Sequence, residues 1–399
     1  MSTFAVSFEQ LTALLLQSRQ FWQFMPFQHL SLPWSAQSDF ERWLSALSLD
    51  DVSALKRSPD LAHHLQPFVP QALALADLAD DAQWPLLSLD NDHTPTRGLD
   101  TGVPGRKWQQ ISAFSQGLAT LSVPVLEWCA GKGHLGRLIA DRLAVPVTSL
   151  EWDSALCEQG QQYATQFSLP IEMVCADAFS PQAQTYVHSR QHAVALHACG
   201  DLHVTLLRHA CAKQTQAVTI SPCCYHLIKA PTYQPLSSQG QAAGLVLSKH
   251  DLRLPLQETV TAPGRIERLR AVEVSFRLGF DAMQRTLFGN PDYMPLPNIQ
   301  KALLNDGFAS FCQWAADRKG VVLPAGVDFS HWQAVGEQRF EITEKMELVR
   351  QLFRRPLELW LVLDRILFLE QNGYQVALRR LCEKAVTPRN YVIHARYNG

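Results

Sequence analysis

Val125-Leu-Glu-Trp-Cys-Ala-Gly-Lys-Gly-His-Leu-Gly136 is the stretch whose reading decides the fold. It opens on a short apolar run, turns through Gly131, Gly133 and Gly136, and continues at helical spacing through Leu135, Leu138, Ile139 and Leu143. The pattern predicts a strand, a glycine loop and a helix in succession. Glycines tolerate positive φ and let backbone approach a ligand closely. The helix start behind them offers unpaired N–H groups at the positive end of its dipole.

Short β-branched or apolar runs recur after it, at Val147–Glu151, 171–176, 193–196 and 217–220, with helical stretches between them. Such alternation predicts a parallel, doubly wound sheet with right-handed crossovers. Two further runs, 374–382 and 391–396, flank a Thr387-Pro-Arg-Asn turn and read as a closing β-hairpin. The expected fold class is therefore α/β: a Rossmann-like, seven-stranded doubly wound sheet with a C-terminal hairpin, an N-terminal helical domain and a helical insertion. The expected boundaries are 1–95 for the helical domain, 96–239 for the first five strands, 240–372 for the insertion and 373–399 for the last two strands.

Composition narrows the function classes. The chain of 399 residues is 47% hydrophobic and 18% charged, which excludes a disordered or collagen-like chain. A net charge of −2 excludes binding of nucleic acid by bulk charge alone. The balance is uneven: residues 1–100 carry 12 acids and 5 bases, and residues 345–399 carry 10 bases and 5 acids. A basic rear face would steer a polyanion, or the two segments are simply solvated helical surfaces. The apolar stretch 356–369 contains Glu358, Asp364 and Arg365 and reads as a buried helix rather than a membrane span. The start carries no basic, apolar leader, and nine scattered cysteines favour reduced thiols. A cytoplasmic protein with no membrane partner and no obligate protein partner is expected.

The chemistry concentrates at the carboxyl ends of the predicted strands, where open parallel sheets bind ligands. Glu127 ends the first, Glu151 the second and Asp177 the third. Two cofactors fit the loop. Gly131-x-Gly133-x-x-Gly136, with Glu151 18 residues after Gly133, matches a dinucleotide fingerprint. The same residues match an S-adenosylmethionine site of the form acid-x-Gly-x-Gly-x-Gly, with Glu127 as the acid and Cys129 at the first glycine position. An acid there favours a methionine ammonium and disfavours a pyrophosphate, by on the order of a few kcal/mol at about 4 Å. In the S-adenosylmethionine reading, Glu127 faces the amine, Gly131 and Gly133 approach its backbone, Glu151 accepts the ribose hydroxyls, and Asp177 with Ala178 meets the adenine. A three-carboxylate rim is thus expected. If the Cys129 position needs positive φ, it carries strain of order 1 kcal/mol.

Residues 126–226 resemble class I S-adenosylmethionine-dependent methyltransferases. More narrowly, they resemble the branch of tRNA 2′-O-methyltransferases that modify the acceptor stem and related methyltransferase-like proteins. The matching features are Gly131-Lys-Gly-His-Leu135, His197-Ala-Cys-Gly-Asp-Leu202, Pro222-Cys-Cys-Tyr-His226, Pro388-Arg-Asn390 and the upstream pair Arg106-Lys107. The resemblance implies S-adenosylmethionine as cofactor and RNA of the tRNA kind as substrate.

The predicted fourth and fifth strands end in His197-Ala-Cys-Gly-Asp201 and Ser221-Pro-Cys-Cys-Tyr-His226. Removing a hydroxyl proton calls for a base, so His197, Asp201 and His226 are candidate catalytic residues. Cys223 is a candidate nucleophile, and with Cys199 and Cys224 it could also simply pack. The same residues offer soft metal donors, but adjacent cysteines suit one tetrahedral ion poorly and no Cys-x-x-Cys pair is present, so no metal is assigned. His192, His203 and His209 are expected at the surface or the core edge. Competing functions are methylation of a protein or small molecule, a nicotinamide-dependent oxidoreductase and a non-catalytic scaffold.

Overall fold

The β-branched runs pair through their backbone hydrogen bonds into a single sheet. The computed structural model describes residues 2–34, 37–88, 93–118, 122–257 and 264–399. Among them, β1 (Val125–Trp128), β2 (Val147–Glu151), β3 (Ile171–Cys175), β4 (His192–Cys199), β5 (Ala217–Cys223), β6 (Tyr374–Arg380) and β7 (Tyr391–Tyr397) form one seven-stranded sheet. Its order is β3-β2-β1-β4-β5-β7-β6, with β1 to β5 parallel and β7 antiparallel to both neighbours. The chain order reverses between β1 and β4, which is where such sheets open a ligand crevice. The expected seven-stranded α/β fold with its C-terminal hairpin is thus the fold observed.

The chain divides into two compact units, and neither is continuous in sequence. One comprises Met1–Gln17, Ala74–Val260 and Arg354–Gly399; the other comprises Ser18–Leu73 and Thr261–Phe353. These limits differ from the expected 95, 239 and 372. At the last limit the difference is the helix Arg354–Gln371, whose apolar pattern continues that of the insertion although it groups with the sheet. Fifteen of its 18 residues are buried, five of them charged. The helix Thr3–Gln17 lies against it: Phe8 stacks on Trp360 with ring centroids 5.0 Å apart, and Trp360 Nε1 donates to Thr12 Oγ1 at 2.9 Å. No helix among the described residues is long and apolar enough to cross a membrane.

Three charged groups inside Arg354–Gln371, at Arg355, Asp364 and Arg365, are held by specific partners, as burial demands. Asp364 accepts from Tyr233 Oη, Leu236 N, Ser237 N and Ser237 Oγ. Arg355 donates to Asp81, Glu358, Pro388 O and Asn390 Oδ1, and lies 3.6 Å from the Tyr391 ring centre. It thereby fixes the Pro388-Arg-Asn390 turn against the sheet. Arg365 Nε donates to His203 Nε2 at 2.8 Å, and His203 Nδ1 meets Ala198 O at 2.9 Å. His203 and His192 are therefore core residues, contrary to expectation; His192 Nε2 meets Thr219 Oγ1 at 2.8 Å, and both rings are buried. In the second unit, Phe276, Phe280, Phe308 and Phe311 form the centre of a separate apolar core.

Candidate active site

The first loop is shaped by three positive φ values. Cys129, Gly131 and Gly133 have φ of 59°, 59° and 66°. A non-glycine residue in that region costs of order 1 kcal/mol, so Cys129 carries the strain that the sequence made conditional. Gly133 caps the helix His134–Leu143. Gly136 serves a different need: a Cβ there would come within 2.5 Å of Glu127 Oε2 and 2.7 Å of Ser149 Oγ.

Those atoms reveal where Glu127 goes. Its carboxylate accepts from Ser149 Oγ at 2.7 Å and is almost fully buried under the glycine turn. Burial pushes its carboxyl up to about 7, although Ser149, the Gly136 N–H, Arg137 and Lys107 pull it down. The three-carboxylate rim is accordingly corrected to two, because Glu127 sits beneath the loop rather than on the crevice wall.

Glu151 and Asp177 do reach the crevice. Glu151 Oε2 accepts from Gly131 N at 2.8 Å and Oε1 from Asp153 N at 3.2 Å, so one carboxylate ties β2 to the glycine loop. Asp177 Oδ1 accepts from Phe179 N at 2.9 Å and turns the chain after β3. A pocket of about 280 Å³ lies over these strand ends, lined by Cys129, Glu151, Trp152, Asp177, Ala178 and Phe179 among others. Trp152 is 75% exposed and Phe179 57% exposed. Apolar rings left in water beside two carboxylates are what a flat, partly polar ligand would cover. Burial pushes the Cys129 thiol up to about 12, with Glu151 adding to it, so the pocket wall there is uncharged at neutral pH.

A second pocket of about 880 Å³ shares Phe179 with the first and is lined also by Asp201, Arg208, Leu227, Lys229 and Tyr233. Its floor is the junction of two loops. Gly200, at φ 56°, packs so tightly on Leu227 that a Cβ would lie 1.9 Å from Leu227 O. Asp201 N donates to Leu227 O at 3.0 Å, and Asp201 Oδ2 accepts from Lys229 N at 2.7 Å.

The candidate catalytic residues separate on this framework. Asp201 is engaged in holding the Lys229 loop. His197, at φ 65°, meets Gln110 Oε1 through Nε2 at 2.6 Å. With that carbonyl accepting, Nε2 carries the ring proton and Nδ1 keeps the lone pair. Burial, with Arg389 adding, pushes His197 down to about 4, so the ring is neutral at pH 7. His226 stands on the β5 loop with Nδ1 buried and without a hydrogen-bond partner. Cys223 lies 3.3 Å, sulfur to sulfur, from Cys199. Hydrogen bonds from Cys199 and Cys223, with Arg389 and His226 nearby, hold the Cys224 thiol well below the usual range. Gln110, Trp152, Phe179 and Arg389 were missing from the sequence-based set. Of these, only Arg389, in Pro388-Arg-Asn390, lay inside a motif already singled out, while Phe179 directly follows the candidate Ala178.

Residues 106–231 match the family model of a methyltransferase domain. The match covers less than half of the chain and includes the glycine loop and both strand-end motifs of β4 and β5. A curated relative, a glutathione S-transferase C-terminal domain-containing protein homolog of Drosophila pseudoobscura pseudoobscura, is 26% identical over 242 residues. That alignment covers 54% of this chain, which spans 40% of the relative's length. Among solved structures, TrmN from Thermus thermophilus is 20% identical over 30% of this chain and 39% of its own, with a TM-score of 0.25. Aeropyrum pernix fibrillarin, solved with S-adenosyl-L-methionine natively bound, is 14% identical over 29% and 55%, with a TM-score of 0.24. Likenesses of that size bear on neither reaction nor substrate. The family match says what residues 106–231 are similar to, a methyltransferase domain.

Proposed function

We propose that this chain transfers a methyl group from S-adenosylmethionine to RNA of the tRNA kind, with a 2′-hydroxyl as acceptor. The observation that carries the cofactor assignment is the pocket over β1 to β3: an acid joined to the glycine loop, a second acid on the next strand, and two exposed aromatic rings beside them. Glu151 retains lone pairs for the ribose hydroxyls, since its two oxygens each accept one backbone N–H. Asp177 and Ala178 meet the adenine edge, and Trp152 and Phe179 cover its faces. The methionine end lies along Gly131 and Gly133, and Glu127 acts as a positioning residue beneath them. When bound, the cofactor supplies an electrophilic methyl group.

The substrate enters over the larger pocket. Its size suits a single extruded nucleotide, and the exposed Arg208 and Lys229 on its wall suit the attached phosphates. His197 is the base: its neutral ring, held by Gln110, offers Nδ1 to the hydroxyl proton. The test is transfer of tritium from methyl-labelled S-adenosylmethionine into total RNA, protein and small molecules of a strain lacking the gene. Label in an RNase-sensitive, alkali-stable dinucleotide is expected, since a 2′-O-methyl group blocks alkaline cleavage. Label confined to protein or small molecules would contradict the RNA assignment. Label in RNA that alkali releases as mononucleotides would contradict the 2′-hydroxyl.

A further inference from the structure

Methyl transfer to a hydroxyl leaves three converging thiols at the ends of β4 and β5 without a task. β4 carries an irregularity between Leu196 and Cys199, after which Cys199 pairs directly with Cys223 of β5. Side chains of paired residues on neighbouring parallel strands project from the same face, which puts their sulfurs 3.3 Å apart. The next residue should then point to the opposite face. It does not, because Cys224 has φ 38° and breaks the alternation. All three sulfurs lie within 4.8 Å of one another. The objection that adjacent cysteines cannot serve one ion therefore holds for an extended strand but not for this turn.

Two further observations point to a ligand. His197 and Cys224 both sit at positive φ, a conformation that strains a non-glycine residue and clusters at functional sites. His226 Nδ1, on the same turn as Cys223 and Cys224, is buried without a hydrogen-bond partner. The spacing also suits a soft divalent ion. Zn–S bonds of about 2.3 Å in a tetrahedron put sulfurs about 3.8 Å apart, between the 3.3 Å of the close pair and the 4.8 Å limit of the set.

We propose that Cys199, Cys223 and Cys224 bind one Zn2+ ion as three thiolates at the carboxyl ends of β4 and β5. Each thiol that is still protonated releases its proton to solvent on binding, and Zn2+ with three thiolates leaves one net negative charge beside the Arg389 guanidinium, which acts on both Cys199 and Cys224. Three protein thiolates leave the fourth position for water, for His226 after a turn of its ring, or for a substrate atom.

The test is metal binding by the full chain, reduced, stripped of metal and free of adenosyl ligand, which keeps its outcome separate from that of the methyltransferase proposal. Co2+ serves as the spectroscopic probe. One equivalent is expected to give a thiolate-to-cobalt charge-transfer band in the near ultraviolet and tetrahedral bands in the visible, all removed by one equivalent of Zn2+. Cys199→Ser, Cys223→Ser and Cys224→Ser should each remove about a third of the charge-transfer intensity and weaken Co2+ binding about tenfold or more. Cys175→Ser, which changes an exposed cysteine outside the set, should leave the spectrum unchanged. Circular dichroism of each variant separates lost binding from lost fold. Absence of the band in the folded parent chain, or a full-strength band in any folded member of the three variants, would overturn the site.

Discussion

Glu127 and His197 show how burial assigns work to single residues. Glu127 keeps its proton up to about pH 7 in the folded chain, against about 4.5 for an ordinary glutamate. The folded state therefore binds more protons than the unfolded state between these values. The stability from this group is complete below pH 4.5 and is lost as pH rises through about 7, by on the order of 3 kcal/mol. Glu127→Gln removes that loss, so its melting temperature relative to the parent chain should climb from pH 4.5 to pH 8; a difference independent of pH would contradict the buried, protonated carboxyl. His197 has the opposite sign. Its folded value of about 4 lies below the ordinary 6.5, so the stability it contributes is present above pH 6.5 and is lost as pH falls through about 4. The same neutral ring makes a kinetic prediction. His197→Ala should lower kcat by about 100-fold or more with cofactor affinity unchanged, and the parent pH–rate profile should show no inflection near 6.5. Full activity in the alanine variant would make His197 a structural residue. Neither environment is visible in a linear sequence. The acid at the end of β1 was legible, but its direction depends on Ser149 one strand away and on the bare Cα of Gly136, and the basicity of His197 depends on Gln110, which precedes the sheet.

Between residues and the whole lie the loops and helices that hold the crevice. The loop after β4 and the loop after β5 meet at Gly200 and Leu227, where no side chain fits and φ is positive. Gly200→Ala should therefore cost more than about 2 kcal/mol in urea unfolding and disturb the thiol cluster, whereas Gly102→Ala, at positive φ but with nothing within 4 Å, should cost only its backbone strain. Equal costs at the two positions would contradict the close packing. Strands were readable because each is a short β-branched run between turn signals, and all seven appear within a few residues of their expected limits. The helix Arg354–Gln371 was read as buried and counted with the insertion, whereas it groups with the sheet unit. Its period is the same as that of the insertion, and only its partners distinguish it: Arg355 on the Pro388-Arg-Asn390 turn, Asp364 on Ser237 and Arg365 on His203. Those partners are all more than 30 residues away, beyond what periodicity registers.

At the scale of the molecule, the sheet unit is assembled from three separated segments. The antiparallel pair β6 and β7 and the helix beneath them come from the C-terminal segment, so the first five strands cannot complete the core alone. A fragment spanning residues 96–239 is expected to lack cooperative thermal unfolding and to bind no adenosyl ligand; a cooperative, ligand-binding fragment would contradict the shared core. The central claim is that the crevice over β1 to β3 holds S-adenosylmethionine rather than a dinucleotide, and it turns on Glu151. Isothermal titration of the full chain with S-adenosylhomocysteine and with NADH tests it most directly. The expected result is one saturable site for S-adenosylhomocysteine, weakened by about 1–3 kcal/mol in Glu151→Ala, and no saturable binding of NADH. Saturable NADH binding without S-adenosylhomocysteine binding, or unchanged affinity in a folded Glu151→Ala chain, would contradict it.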